Sequence, residues 1–143
     1  MEYNFNMYEN DVRRIFNSMH SCDHIVALYR GSLPIATHLS NLTGNPLSIV
    51  RMQRYDGESE FDIMYDAGLA DSKRVLLIDD ILDSGITMNT TQSALSVLFP
   101  KLKIQSVCLV GHKNDDNVTC LREHDGNWVD FWWEDNGLDE RMK

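Results

Sequence analysis

The sequence predicts an α/β fold: an open, mainly parallel sheet with helices on both faces, completed by a small C-terminal hood. Three observations carry that expectation. Stretches with helical spacing alternate with short apolar runs. One run, Val75-Leu76-Leu77-Ile78, is continuous, as in a strand covered on both faces. The order strand, helix, strand, helix, strand favours parallel pairing through helical crossovers. The 143 residues fit one domain, 1–143, with 114–143 as the hood segment. At this length folding removes roughly 68–70% of the unfolded chain's surface from water, enough for a core without disulfide or metal.

Val12, Ile15, Phe16 and Met19 recur at helical spacing, and beyond the Ser21-Cys22-Asp23 break His24 to Tyr29 forms a short strand. Arg30-Gly31-Ser32 interrupts. Ile35, Ala36, Leu39 and Leu42 mark one face of the next helix, Pro34 suits its first turn, and Gly44 with Pro46 ends it. Leu47 to Met52 is a strand. Gln53 to Ser72 holds Asp56-Gly57 and Ala67-Gly68 among many carboxylates with little apolar periodicity, the pattern of a long loop that a hairpin could interrupt. Lys73 to Ile78 is the central strand. Thr87 to Phe99 carries Met88, Thr91, Ala94, Leu95 and Leu98 on one side of a helix that Pro100 stops. Ile104 to Val110 closes the alternation. Asp125-Gly126 marks a turn, and Trp132 and Trp133 are expected to pack the hood rather than bind a ligand.

The chain has 13 Lys plus Arg against 22 Asp plus Glu, a net charge of −9 and a pI near 4.8. That balance excludes broad electrostatic binding of nucleic acid or anionic membrane, so any phosphate site must be local. The apolar runs fall far short of the ~20 residues that span a bilayer. Met1-Glu2-Tyr3-Asn4 lacks the basic and apolar regions of a signal peptide. A cytoplasmic protein without nucleic-acid or membrane partners is the expectation. Cys22, Cys108 and Cys120, an odd number without paired spacing, suit a reducing compartment and read as buried or idle thiols. His20, Cys22 and His24 alternate at a strand start, but three ligands without a fourth do not make a metal site; packing or solvent contact is their expected role.

In open α/β sheets the ligand crevice lies beyond the carboxyl ends of the strands. After Val75 to Ile78 come Asp79-Asp80-Ile81-Leu82-Asp83-Ser84-Gly85-Ile86-Thr87. Adjacent carboxylates there repel and lose hydration unless hydroxyls, cations or water satisfy them. Asp83 to Thr87 supplies a glycine, two hydroxyls and a run of backbone N–H groups at the mouth of a helix, a ready anion cradle. Groups suited to sugar hydroxyls or a metal thus sit beside donors suited to phosphate, and a sugar phosphate uses both. Each half alone has a plainer reading, as solvated acids or as a turn with a helix cap. A Walker B strand would need a Gly-x-x-x-x-Gly-Lys-Ser/Thr loop, which the sequence lacks. A response-regulator receiver would place its acidic pair after the first strand.

At every position Val75 to Thr87 resembles the phosphoribosyl pyrophosphate motif of type I phosphoribosyltransferases. The likeness continues over most of the chain in the order strand, Arg-Gly loop, helix, strand, flexible loop, motif, helix, strand, and points to the xanthine-guanine enzymes among them. The resemblance implies that Asp79 and Asp80 meet the ribose hydroxyls directly or through a metal, and that Asp83, Ser84, Gly85, Ile86 and Thr87 wrap the 5′-phosphate. Asp83 would also accept the purine's proton. Arg30-Gly31 would form the pyrophosphate loop, with a glycine able to take unusual dihedrals. Lys113 would donate to a 6-oxo group, Trp128 would stack on the base, the Val129 backbone would contact the base edge, and Glu134 would lie near the 2-substituent. Mg2+ is implied because pyrophosphate carries charge that a −9 chain cannot offset. The implied partners are phosphoribosyl pyrophosphate, a purine base and further copies of the chain, as a dimer or larger. The implied reaction transfers the phosphoribosyl group to guanine, xanthine or hypoxanthine, a step of purine salvage.

Arg54-Tyr55 stands where the family usually has Ser-Tyr, and Asn114 follows Lys113 where an apolar residue or proline is more usual. Two further readings stay open on the residues alone. One is a catalytically weak regulatory protein that senses phosphoribosyl pyrophosphate or nucleotides. The other is a transferase for a pyrimidine or orotate.

Overall fold

The structure, a computed structural model, describes residues 1–19, 21–112, 117–134 and 142. The chain opens with a short strand, β1 (Glu2–Tyr3), and helix α1 (Phe5–Ser18), whose Asn4 cap accepts the Met7 N–H at 2.9 Å. Strand β2 (His24–Leu28) leads to α2 (Leu33–Thr43), with Pro34 in its first turn and Gly44 ending it in the left-handed region. Next come β3 (Leu47–Tyr55), β4 (Glu58–Tyr65), β5 (Arg74–Leu82), α3 (Ile86–Leu98), β6 (Lys103–Gly111), β7 (Thr119–Glu123) and β8 (Asp130–Phe131). Six strands form one sheet in the order β4-β3-β2-β5-β6-β7, parallel except for the antiparallel β3–β4 pair. β1 pairs with β8 in a separate two-stranded sheet.

The period-2 geometry of β5 divides its apolar run between two cores. Leu76 and Ile78 join Ile25 and Leu109 beneath α1 and α2, where Val12, Ile15, Ile35 and Leu39 pack. Val75 and Leu77 face the other way, toward Met88 and Leu95 of α3. All four β5 residues are fully buried, each worth about 1.5–3 kcal/mol of transfer from water. A strand covered on both faces is what their continuous pattern predicts.

Three differences from the sequence expectation bear on function. The stretch after Met52 is more ordered than a long loop: the hairpin its sequence allows forms, with β3 running to Tyr55 and returning as β4 through Asp56 and Gly57, both at positive φ (46° and 85°), as a tight two-residue turn requires, and only 66–73 separates it from β5. Its outer end is solvated on both sides, so it carries no apolar alternation. Strand β5 extends past Ile78, because Asp79 stays in register with Cys108 and Ile81 with Val110. The acidic pair therefore lies within the strand, not beyond it. Finally, the C-terminal segment divides between two sheets: β7 extends the main sheet, whereas Phe131 and Trp133 pack on Tyr3.

His24 opens β2 fully buried, its Nδ1 and Nε2 each 2.7 Å from a serine hydroxyl, Ser72 and Ser48 respectively. His20, its companion in the alternating triplet, lies outside the described residues. Burial lowers the His24 pKa, with Asp23 and Asp66 partly opposing. The unfolded chain therefore takes up this proton first, so the stabilisation is complete above about pH 6.5 and is lost as pH falls toward the depressed folded value. The urea midpoint of the protein is expected to drop more between about pH 7 and 5 than that of His24→Gln. Parallel pH dependences would remove His24 as a source.

Candidate active site

Past Ile78 the β5 backbone and the acid side chains satisfy each other. Asp79 Oδ1 accepts the Asp80 N–H and Asp80 Oδ1 accepts the Ile81 N–H, both at 2.8 Å. Burial and the adjacent Asp80 charge push the Asp79 carboxyl well above the usual carboxylate range. A proton on Asp79 or a nearby cation relieves that cost.

The β2–α2 turn approaches Asp80 from the neighbouring strand. A Cβ added at Gly31 would run into the Asp80 carboxylate, its carbon and both oxygens. Glycine is needed there for close approach, which corrects the expectation of unusual dihedrals: Gly31 is not among the glycines at positive φ, and the special linkage is the cis peptide Tyr29–Arg30. Gly85 does adopt positive φ, at 80°, and turns the chain from β5 into α3. Ser84 Oγ accepts the Ile86 N–H at 3.3 Å. Asp83, Ser84, Gly85 and Thr87 line a recess of about 140 Å³ at this helix start, where the first backbone N–H groups of a helix and its dipole favour an anion.

A wider cleft of about 540 Å³ adjoins it. Arg30, Asp80, Asp83, Trp128, Val129 and Glu134 all line it, so residues predicted from distant parts of the chain converge. Gly31 and Arg30 also border the neighbouring hollow beside Glu134. The Trp128 side chain is 76% exposed, a free aromatic wall, whereas Val129 is buried in the core and has only its backbone to offer a ligand. The Glu134 carboxyl is raised by burial and by Asp80, and lowered by Arg30. Lys113 lies outside the described residues. Among the described lining residues, Arg30 is the one permanent cation against the carboxylates of Asp80, Asp83 and Glu134.

Sequence reasoning missed two histidines. His112 Nε2 lies 4.0 Å from Asp83 Oδ1, and its ring stacks on His124 at a centroid separation of 5.9 Å. His124 is held by its N–H to the Gly111 carbonyl (2.9 Å) and by its Nδ1, which accepts the Gly126 N–H (2.8 Å). The Asp125-Gly126 turn was the only local signal. The rings meet because β6 and β7 are neighbours, which no spacing within either strand reveals.

Among the described residues no three His, Cys, Asp or Glu side chains gather closely enough to hold a metal alone. Asp79 and Asp80 offer two carboxylates, a set that suits a hard cation completed by substrate oxygens.

Comparison with known proteins gives a consistent picture. Residues 5–134 match the phosphoribosyl transferase domain. A hypoxanthine/guanine phosphoribosyltransferase of Methanosalsum zhilinae is 36% identical over 83 residues, 51% of this chain and 44% of that protein. Its counterpart in Methanohalobium evestigatum is 29% identical over 117 residues, 75% of this chain and 60% of that one. The chain thus spans about half the length of the curated relatives it matches. Among solved structures, the Helicobacter pylori xanthine-guanine-hypoxanthine phosphoribosyltransferase superposes with a TM-score of 0.82 at 17% identity, covering 99% of this chain and 98% of that one. A purine phosphoribosyltransferase from Pyrococcus horikoshii gives 0.79 at 23% identity over 94% of each chain. At these identities the superpositions establish the fold: the mainly parallel sheet flanked by helices.

Proposed function

Because the chain belongs to the phosphoribosyl transferase domain family, we propose that it transfers the 5-phosphoribosyl group from phosphoribosyl pyrophosphate to a 6-oxopurine, releasing pyrophosphate and a nucleoside monophosphate for purine salvage. The observation that carries this reading is the junction of a carboxylate pair, an amide-rich anion recess and an aromatic wall around one cleft. A phosphorylated sugar joined to a flat base needs all three.

In this reading Ser84 to Thr87 hold the 5′-phosphate through backbone N–H groups and hydroxyls, and Asp79 and Asp80 accept the ribose hydroxyls. Arg30 and the Gly31 backbone face the pyrophosphate. Trp128 covers one face of the base, the Val129 backbone meets its edge, and Glu134 lies toward its 2-substituent. Lys113, carried over from the resemblance, donates to the 6-oxo group. Asp83, open at the cleft, accepts the proton of the attacking purine nitrogen as the bond from the anomeric carbon to pyrophosphate breaks, a role that requires an approach of about 2.6–3.2 Å.

Asp79 and Asp80 would hold Mg2+, which when bound offsets the pyrophosphate charge that a cleft richer in carboxylates than in cations does not. We infer a cytoplasmic site of action, consistent with the absence, among the described residues, of any helix long and apolar enough to cross a membrane, and a dimer or larger assembly.

The test is turnover with phosphoribosyl pyrophosphate, magnesium and a panel of bases. Guanine, xanthine or hypoxanthine should be converted and adenine and orotate refused. Tight binding of the donor without turnover of any base would favour a regulatory protein, and conversion of orotate or a pyrimidine alone would move the acceptor class. Trp128→Ala is expected to weaken base use by about 1–3 kcal/mol, the worth of one aromatic–base stack, while leaving affinity for the sugar donor unchanged. A variant with ordinary base kinetics would take Trp128 out of the site.

A further inference from the structure

Cys108 and Cys120 read in the sequence as buried or idle thiols, and Cys108 is buried, yet the fold also sets the two side by side. They are directly registered partners on β6 and β7, and adjacent strands hold such residues about 4.8 Å apart, inside the 4.4–6.8 Å Cα range of disulfides. Their sulfurs are 2.9 Å apart. Closing that gap to a covalent bond of about 2.05 Å needs about 0.9 Å of movement. Gly111 leaves the room, since a Cβ there would stand within 2.9 Å of both sulfurs. Cys22 is no competitor: it packs in the core on the opposite face of the sheet and donates to Gln105 Oε1 at 3.5 Å.

We propose that Cys108 and Cys120 form a site of reversible oxidation, closed to an intrachain disulfide by a peroxide. Cys108 is fully buried, and Cys120 is part-exposed. Cys120, the part-exposed sulfur of the two, is the one that meets the oxidant. Its thiolate attacks hydrogen peroxide, breaking the O–O bond to give a sulfenic acid and one water. Cys108 then attacks that sulfur, its proton leaving with the hydroxyl as a second water. Two thiols and one peroxide thus become one disulfide and two waters. The bond ties β7, the strand that leads to His124 and Trp128, to β6 at the position opposite Asp79. The proposal does not depend on which reaction the cleft performs.

The test treats the folded protein with a few equivalents of hydrogen peroxide, removes the excess, and counts thiols after denaturation. The count should fall from three to one, with a loss of about 2 Da and a link between the tryptic peptides 104–113 and 114–122; a dithiol reductant should restore all three. Cys22→Ser should keep the same link and leave no thiol, and Cys120→Ser should form no intrachain link. Three thiols surviving a peroxide dose that oxidises free glutathione would overturn the proposal. So would Cys120 advancing to sulfinic acid without a link, a bridge that includes Cys22, or bridges only between chains.

Discussion

Arg122→Ala is expected to lower the unfolding free energy by about 3–5 kcal/mol, the cost of leaving a buried carboxylate without its partner. Asp11 lies fully buried in α1. Arg122, on β7, meets it with both arms of the guanidinium, Nε to Oδ2 at 3.0 Å and Nη2 to Oδ1 at 3.2 Å, and the Tyr3 hydroxyl donates to Oδ2 at 2.6 Å. Burial and that hydrogen bond raise the Tyr3 pKa, so the phenol remains a donor. Arg14 reaches Oδ1 only at 3.6 Å from a largely exposed side chain and cannot supply the second arm. The three groups tie the neighbouring β1 and α1 to β7, 111 residues further along the chain from Asp11 to Arg122, and together support the wall bearing Trp128. Chemical denaturation should register the loss, and Arg122→Lys, which keeps the charge but not the fork, should fall between. A loss below about 1 kcal/mol, the range of a surface pair, would mean that Asp11 finds water in the variant.

That network illustrates which parts of the molecule a sequence exposes to reading. Val75 to Ile78 could be placed because one strand carries the whole signal, and Asp79 to Thr87 because the anion recess is built from consecutive residues. Gly44, Pro34 and Pro100 mark helix ends through local dihedral constraints. The β3–β4 hairpin was obscure for the opposite reason: Tyr55, Glu58, Ser59 and Glu60 are exposed on both faces, so burial imposes no period on them, and only Asp56-Gly57 hinted at the turn. β7, Thr-Cys-Leu-Arg-Glu, is an edge strand too short and polar to announce itself. With it went the meeting of His112 with His124, of Cys108 with Cys120, and of Arg122 with Asp11, each of which needs the strand neighbours to be known first. Glu134 and Trp128 were reached by resemblance, not by any property of their own surroundings in sequence.

Gly31→Ala should reduce kcat/KM for the sugar donor by about 100-fold, the scale of a displacement of roughly 1 Å at a reacting centre, with little change in melting temperature. The new methyl group and the Asp80 carboxylate cannot share the same space. The turn is the stiffer partner: Leu33 N–H bonds to the Arg30 carbonyl at 3.1 Å, and Ser32 is buried with its Oγ donating to the Leu28 carbonyl at 2.7 Å. Asp80 must therefore swing away from the position it holds beside Asp79. A double-mutant cycle decides whether the damage travels by that route. If it does, Gly31→Ala adds almost nothing once Asp80 is alanine, because the clash has no carboxylate left to displace. If the two losses simply add, the Arg30-Gly31 turn meets the donor on its own account, and its contact with Asp80 is a neighbourly accident rather than the reason for glycine.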